Sequence, residues 1–299
     1  MIKMDKIDQL LQGAIDLHIH SGPGLIDRSL NHVEACQEAM AAGMKAVVLK
    51  DQHGTTANLV PFLREYIIRD HPLKVYGGVP LNNAAGGVNP RVVEAAIGYG
   101  AKVIWMPTLS AKHHKEEHAR QTAAARATMP KPRIVLASDP PITLLDGNGR
   151  LLPEVKEICR MIAQADIILG CGHLSKKETD LLIEEAKAQG VKKIVINHPE
   201  LHLGVTLDDM RGYAKAGVFL EHVLAIIYSK KSTYEYILEM IRAAGAGQTV
   251  ISTDLGQPGR PRPVQGLKEF LGAMLRLGLT ENEIKTVLHD NPAKLLNLA

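Results

Sequence analysis

The sequence predicts an α/β protein built as a (β/α)8 TIM-like barrel, and two observations carry this prediction. Short β-branched runs alternate with amphipathic helical stretches from one end of the 299-residue chain to the other. The starts of these runs recur at intervals of about 25 to 32 residues, which suits a strand, a crossover helix and their connections. Eight such repeats favour a barrel over an open doubly wound sheet.

Eight runs are predicted as strands, and the stretches between them as helices. Several helices end in a glycine just before the next strand, as the residue after a helix often does. The predicted helices span residues 31–43, 89–100, 175–190, 207–217 and 233–245, and closing helices follow in a C-terminal extension from residue 263. The predicted strands are AIDLHI (14–19), KAVVLK (45–50), LKVYGGV (73–79), AKVIWMP (101–107), ADIILGCG (165–172), KKIVIN (192–197), GVFLEH (217–222) and QTVIST (248–253).

The gap between the fourth and fifth strands, residues 108–164, is longer than the others and predicts an insertion. It contains PRIVLASDPPITLLDGNGRLL, in which DGNG is a suitable turn for a small hairpin. We expect residues 1–299 to form one barrel domain that carries this insertion.

Composition excludes several classes of function. A net charge of +3 and an aromatic content of 4% predict no nucleic-acid partner, since base stacking needs aromatic platforms. No apolar stretch is long enough to cross a membrane, and the N-terminus lacks the features of a signal peptide. Cys36, Cys159 and Cys171 form no CxxC pair, which is typical of a reducing compartment. We expect a cytoplasmic homo-oligomer that acts on a small molecule.

Polar side chains gather where the predicted strands end. In a (β/α)8 barrel these ends form one face, where the chemistry of such proteins takes place. The opposite ends of the strands begin with Lys, Ala, Gly or Gln and show no such clustering. The polar residues are His18 and His20 on the first strand, Lys50, Asp51 and His53 on the second, His173 on the fifth, His198 and Glu200 on the sixth, Glu221 and His222 on the seventh, and Asp254 on the eighth.

Each of these residues alone has an ordinary structural explanation, because a histidine at a strand end is usually a hydrogen-bonded residue and Asp254 could cap a helix. Their convergence favours a shared site. Four imidazoles, from His18, His20, His173 and His198, together with the carboxylate of Asp254, suit zinc, manganese or iron. A bound ion would supply hydroxide near neutral pH, and Asp254 is placed to accept or relay its proton.

The stretch AIDLHIHSGPG (14–24) presents His18 and His20 on one face of a strand, because side chains two residues apart share a face. We expect Leu17 and Ile19 to pack outward against the helices. Asp16 lies one layer deeper on the histidine face, where a carboxylate can orient an imidazole.

This set of motifs resembles the amidohydrolase superfamily of metal-dependent hydrolases. HxH at the first strand, single histidines ending strands five and six, and an aspartate ending strand eight occur in the same order there. The closing NPAKLL (291–296) is similar to the helical segment that ends many members. The resemblance implies that His18, His20, His173 and Asp254 bind a main metal ion. His198 would bind a second ion or contact the hydrolytic water.

The fourth strand departs from the commonest pattern of that superfamily. It ends in IWMPT, whereas binuclear members often place a carboxylated lysine or a glutamate there to bridge two ions. We therefore expect a mononuclear centre, unless Lys50 or His53 supplies the missing ligand. VVLKDQH (47–53) also resembles the second strand of the phosphoesterases of the polymerase-and-histidinol-phosphatase (PHP) type, although those barrels usually have seven strands.

Several basic residues are candidates for substrate binding. Arg260 and Arg262 lie on the proline-rich PGRPRP (258–263) directly after the eighth strand, and Arg28 follows HxH. A guanidinium binds carboxylate or phosphate through two parallel hydrogen bonds, but a solvated loop explains these residues equally well. Lys50 could polarise a carbonyl, anchor an anion or pair with Asp51. We expect HHKEEH (113–118) to project from a helix into solvent as a lid or subunit contact rather than to bind metal.

Three functional hypotheses follow. The first is a hydrolase in which hydroxide attacks a C–N or C–O bond of a small anionic substrate, with Asp254 moving the proton and His198 or Lys50 stabilising the oxyanion. The second keeps the metal site but makes the protein a mononuclear decarboxylase or lyase. The third is a non-catalytic barrel.

Overall fold

The computed structural model describes residues 4–121, 139–202 and 204–298 and confirms the (β/α)8 barrel. Within these residues, eight strands pair in parallel in the order of the sequence. Every predicted strand overlaps one of them, and the observed ends differ from the predicted ends by at most three residues. The strands are β1 (Ile15–His20), β2 (Ala46–Lys50), β3 (Lys74–Pro80), β4 (Val103–Trp105), β5 (Ile168–Gly170), β6 (Ile194–Asn197), β7 (Phe219–Val223) and β8 (Thr249–Ser252).

The barrel closes between β8 and β1. The backbone N–H of Asp254 donates to the carbonyl of His18 at 2.8 Å, and the N–H of His20 donates to the carbonyl of Leu255 at 2.8 Å. Gly256 continues this contact at φ +126°, and a Cβ there would lie 1.6 Å from the carbonyl oxygen of His20. Only glycine lets the chain after β8 pass this close to β1.

The helices surround the strands, and several begin at side-chain caps. Asn31, Ser175, Thr206 and Thr280 each form a capping box with the acidic residue three positions later. Among the described residues, none of the helices combines the length and apolarity needed to span a membrane. The helices are α1 (Met4–Leu11), α2 (His32–Ala41), α3 (Val60–Phe62, continued by a π-helix Leu63–Ile68), α4 (Pro90–Gly98), α5 (Lys112–Arg120), α6 (Pro153–Ala165), α7 (Lys176–Ala188), α8 (Pro199–His202), α9 (Leu207–Lys215), α10 (Ala225–Tyr228), α11 (Tyr234–Ala244), α12 (Pro263–Arg276), α13 (Glu281–Lys285, continued by a π-helix Thr286–Asp290) and α14 (Asn291–Leu296).

The insertion between β4 and β5 holds α5 and α6, with the DGNG turn between them. The turn is closed by an antiparallel bridge between Leu145 and Leu151 and by the N–H of Asp146 donating to the carbonyl of Arg150 at 2.8 Å. This is the tip of the predicted hairpin. The part of that prediction covering PRIVLA (132–137) lies outside the described residues.

The interior of the barrel is a separate apolar cluster, and the C-terminal helix closes its lower end. Alternate strand residues such as Val48, Trp105 and Val195 fill the interior, and Leu295 and Leu296 of α14 pack against them. We call α14 (Asn291–Leu296) the plug of the barrel, and three hydrogen bonds near the amino ends of the strands hold it in place. Lys45 Nζ donates to the carbonyl of Leu298, Lys193 Nζ to Asn297 Oδ1, and Asn291 Nδ2 to the carbonyl of Thr249. NPAKLL therefore seals the end of the barrel opposite the polar strand ends.

One prediction about β1 is wrong. Leu17 packs in the interior cluster with Ile15 and Trp105, while Ile19 packs outward in the cluster beneath the helices. The cause is a bulge: Asp16 pairs with Val47 and Ile19 pairs with Leu49, so three steps along β1 match two along β2. The extra residue changes which side chains point inward, so the rule that side chains two residues apart share a face does not hold between residues 16 and 19.

The packing of α14 against the barrel interior predicts an effect on stability. Leu296→Ala should lower the free energy of unfolding by about 2 to 5 kcal/mol, because it removes a buried side chain and leaves a cavity at the lower end of the barrel. Lys294→Ala, on the exposed face of the same helix, is the control and should change it by about 0.5 kcal/mol or less. Urea unfolding of both variants measures the difference, and equal stabilities would contradict the plug.

Candidate metal centre and its cavity

A cavity of about 600 Å3 opens over the carboxyl ends of the strands. This volume is typical of a small-molecule site. Histidines from β1 and from the ends of β5 and β6, Lys50 from β2 and Asp254 from the end of β8 line its floor. The loops after β1, β7 and β8 and helix α5 form its walls. The structure therefore brings most of the sequence-predicted residues to one place.

Three side chains present ligand atoms to one point on this floor. His20 Nε2 lies 2.9 Å and His18 Nε2 lies 3.3 Å from the same oxygen, Oδ1 of Asp254. Ligand atoms of His18, His20 and Asp254 all lie within 4.8 Å of one another. Atoms bound tetrahedrally to one zinc ion at about 2.0–2.2 Å would be roughly 3.3 Å apart. The triad has the composition and spacing of a metal site.

Buried partners orient both imidazoles of the triad. His18 Nδ1 lies 3.3 Å from Glu221 Oε2 on β7, and the same oxygen accepts a hydrogen bond of 2.6 Å from Asn197 Nδ2 on β6. His20 Nδ1 lies 3.2 Å from the backbone carbonyl of Lys50. In each ring Nδ1 is thereby engaged and Nε2 faces Asp254, which is the arrangement expected of imidazoles that bind metal through Nε2.

The protonation states suit metal binding. Burial and the charge of Arg28 lower the pKa of His20 to about 3, although Asp254 opposes this shift, so the ring is neutral near pH 7. Burial alone would raise the pKa of Asp254, but His18 and His20 hold it well below its ordinary value. A neutral imidazole and an ionised carboxylate are the forms that bind a cation.

Lys50 lies directly beside the triad. Its Nζ is 3.0 Å from His18 Nε2 and 4.8 Å from the centroid of the Trp105 ring, and the residue is 1% exposed. Burial lowers the pKa of Lys50 to about 8, against the opposing attraction of Asp254 and Glu221. His53, the other second-strand candidate, does not line the cavity and lies with Nδ1 3.8 Å from Asp51 Oδ1.

His173 and His198 line the cavity as a second row next to the triad. The His198 ring centroid lies 6.3 Å from that of His18 and 4.8 Å from that of His173. His173 Nδ1 is 2.9 Å from Nδ1 of His114 on α5. The prediction that HHKEEH projects into solvent is therefore wrong for His114, which is buried because α5 crosses the cavity wall.

Two site residues adopt backbone conformations that favour glycine. His198 has φ +31° and Asp254 has φ +49°, each directly or shortly after a strand end. Left-handed conformations cost non-glycine residues about 1–3 kcal/mol and occur preferentially at functional sites. The turns aim both side chains into the cavity, and no sequence pattern indicated them.

Asp16 supports the backbone of the site and does not orient an imidazole, contrary to the prediction. Its carboxylate accepts hydrogen bonds from the N–H of His18 at 3.0 Å, the N–H of Thr253 at 3.1 Å and Thr253 Oγ1 at 2.6 Å. The β1 bulge turns it toward β8, so that it joins the two strands that carry the triad. Glu221 has the role that we predicted for Asp16.

Two of the three arginines predicted to bind substrate lie at the cavity, and the third does not. Arg28 and Arg260 line the cavity. Arg262 does not; its guanidinium pairs with Glu34 and Glu38 of α2, where it ties the start of α12 to the outer layer. The sequence of the PGRPRP loop did not indicate which of its two arginines faces the cavity. On β7, His222 points away from the cavity as well, with Nδ1 3.0 Å from Glu200 Oε2.

Sequence reasoning missed Gln52 beside the triad and the two lysines of the turn after β7, Lys230 and Lys231. Gln52 Nε2 lies 3.5 Å from His20 Nε2, and its Oε1 accepts a hydrogen bond of 2.7 Å from Thr108 Oγ1. We predicted that His114 projects into solvent, whereas it lines the cavity. The signal for Gln52 was its position between two strand-end candidates, Asp51 and His53, in the loop after β2.

Comparisons with known proteins agree with this fold. The sequence profile described as "Family of unknown function (DUF6282)" matches residues 13–221. A search of curated proteins found no significant match. Among solved structures, an amidohydrolase from Pseudomonas aeruginosa is 14% identical, with 99% of this chain and 98% of that chain covered and a TM-score of 0.65.

Two further structures show the same barrel. A mutant of organophosphorus hydrolase is 15% identical, with 97% of this chain and 94% of that one covered and a TM-score of 0.61. 2,6-Dihydroxybenzoate decarboxylase from Rhizobium is 12% identical, with 96% and 99% covered and a TM-score of 0.53. This chain thus shares its barrel fold with these three proteins, as the sequence predicted.

Asp16 gives a pH prediction. Burial raises its pKa from 3.8 to about 6, against the hydrogen bonds from Thr253 and His18. The stability that its protonation contributes is fully present below pH 3.8 and is lost as the pH rises through 6, a total of about 3 kcal/mol. Asp16→Asn cannot ionise, so the wild type should lose about 3 kcal/mol relative to the variant between pH 4 and 7.

Urea unfolding at several pH values, with chelator present for both proteins, measures this difference. A gap between wild type and variant that does not change with pH would contradict the raised pKa.

Proposed function

This chain belongs to the family of unknown function DUF6282, and we propose that it is a metal-dependent hydrolase of the amidohydrolase type. The observation that carries the proposal is the convergence of His18 Nε2, His20 Nε2 and Asp254 Oδ1 on the floor of a cavity large enough for a small substrate. The substrate is a small anionic molecule with a C–N or C–O bond to an sp2 carbon.

The donor set fits a divalent ion. His18, His20 and Asp254 would hold it, and His173 and His198 are the nearest further imidazoles. Nitrogen and carboxylate donors suit zinc first, with manganese and iron as alternatives. A bound ion supplies hydroxide near neutral pH and polarises a carbonyl.

The protein's own residues would then manage protons and charge. Asp254, ionised and in contact with both imidazoles, can accept the proton of the attacking water and pass it to the leaving nitrogen or oxygen. Lys50 and His198 line the same cavity and can stabilise the negative charge that develops on the substrate oxygen. Water adds across the bond, so the products are an acid and an amine or alcohol.

A decarboxylase is the second candidate. The cationic side chains around the triad could hold a substrate carboxylate, and one of the structures with this barrel is a decarboxylase. Release of CO2 distinguishes this reaction from hydrolysis.

Metal content tests the site. Protein purified without added metal should contain about one divalent ion per chain, and His20→Ala should lose it because one ligand is removed. His71→Asn is the matched control, since His71 lies before β3 at the opposite end of the barrel and should leave the content unchanged. Elemental analysis of the three proteins checks this, and equal content in all of them would contradict the assigned ligands.

Turnover tests the reaction. Lactones, cyclic amides and aromatic carboxylates should be screened with metal-loaded protein, and we expect hydrolysis of the first two without CO2 release. Asp254→Asn keeps an oxygen donor but cannot accept a proton, so it should retain the ion and lose turnover by a factor of about 100 or more. Full activity in Asp254→Asn would refute the proton-transfer role, and CO2 release would favour the decarboxylase.

A further inference from the structure

Positive side chains outnumber carboxylates on the wall of the cavity. The acidic residues that line it, among those the structure describes, are Glu117 and Asp254, and Asp254 belongs to the triad. The cationic residues that line it are Arg28, Lys50, Lys230, Lys231 and Arg260. A substrate in this cavity meets a net positive surface, and the question is which cations are free to bind it.

Two of these cations are balanced within the protein. Asp254 and Glu221 attract Lys50 on the cavity floor. Asp51 and Asp254 attract Arg28. Each of these two side chains is thus attracted by two carboxylates, whereas Asp254 alone attracts Arg260.

The other three cations lie together on the side of β7 and β8. Arg260 Nη1 donates to the carbonyl of Ala225 at 3.2 Å, which places its guanidinium beside helix α10 and the turn after it. Lys230 and Lys231 are in that turn. In the described part of the chain, none of the three has an ion pair with a carboxylate within 4.0 Å, and the same holds for Arg28 and Lys50. What distinguishes the three is that one carboxylate, Asp254, attracts Arg260, and that none among the described residues acts on Lys231. The charge of Arg260 also disfavours that of Lys231, so the two are close enough to repel each other.

The turn itself is strained in a way that keeps the lysines on the cavity wall. Helix α10 ends with the N–H of Lys231 bonded to the carbonyl of Ile226 at 3.1 Å and the N–H of Lys230 bonded to that of Ile227 at 2.9 Å. This is a Schellman motif, whose left-handed residue is normally glycine. Here that residue is Lys230, at φ +56°. Strained non-glycine residues concentrate at ligand sites.

We propose that Arg260, Lys230 and Lys231, the cationic wall, bind an anionic oxygen group of the substrate that is separate from the bond being cleaved. The inference deepens the proposed function and rests on it for the identity of the reaction. The substrate is then an amide, ester or lactone that also carries a carboxylate or phosphate. Arg260 binds two oxygens of this group in parallel, and the lysines add compact positive charge from the other side.

The position of the cationic wall explains how a substrate would be oriented. The wall lies on the loops after β7 and β8, and Asp254, which follows β8 on the floor, contacts His20 and attracts Arg260. An anionic group held by Arg260 directs the rest of the molecule toward the triad. Uncharged analogues would lack this anchor and would bind in several orientations.

Binding of simple anions tests the wall without requiring turnover. Inorganic phosphate and glutarate serve as probes, titrated calorimetrically into purified, metal-loaded protein at low ionic strength, up to about 10 mM. Arg260→Gln and Lys231→Gln should each weaken binding of at least one probe by about tenfold or more, with metal content unchanged. Arg262→Gln is the control: it is in the same loop as Arg260 but paired with α2, and it should bind as wild type does.

The metal-site variant His20→Ala separates the wall from the triad. If the proposal holds, the probe binds to His20→Ala with an affinity within about threefold of wild type, whatever reaction the protein catalyses. A preference for phosphate or for glutarate then identifies which anion the wall accepts. Absence of binding to wild type, equal binding to wild type and to both wall variants, or loss of binding in His20→Ala alone would each overturn the proposal.

Discussion

The contact between β8 and β1 is the constraint on which the site depends. Two backbone hydrogen bonds, from Asp254 to the carbonyl of His18 and from His20 to that of Leu255, close the barrel. They also set the carboxylate of Asp254 against the two Nε2 atoms of β1. The contact that closes the barrel is therefore also the contact that brings the three metal-binding side chains together. Gly256 permits it, because a Cβ there would clash with the backbone of β1.

The supports of the triad are divided between its two sides. Asp16 holds the backbones of β1 and β8 together from within, and Glu221 engages the His18 ring from β7. Both carboxylates are buried and hydrogen-bonded, which is how a protein retains charge or a proton in its interior. The bulge in β1 allows this division, because it turns Asp16 away from the face that carries His18 and His20.

The cavity places two kinds of electrostatic environment side by side. On the floor, burial favours neutral His20 and the imidazoles favour ionised Asp254, so the triad presents the neutral nitrogen of His20 and one negative charge to a cation. On the wall, Arg260 and Lys231 present positive charge without a carboxylate within 4.0 Å in the described part of the chain, and Asp254 attracts Arg260 from the floor. A molecule with one polarisable bond and one anionic end matches both environments.

The sequence by itself determined the order of strands and helices and which strand ends carry His18, His20 and Asp254, because these depend on local periodicity and on the rule that barrel chemistry lies at the carboxyl ends. Tertiary structure decided what periodicity cannot express. The bulge moved Leu17 inward, and the path of α5 buried His114 beside His173. Such outcomes depend on register and on contacts between residues far apart in the chain, which no local pattern encodes.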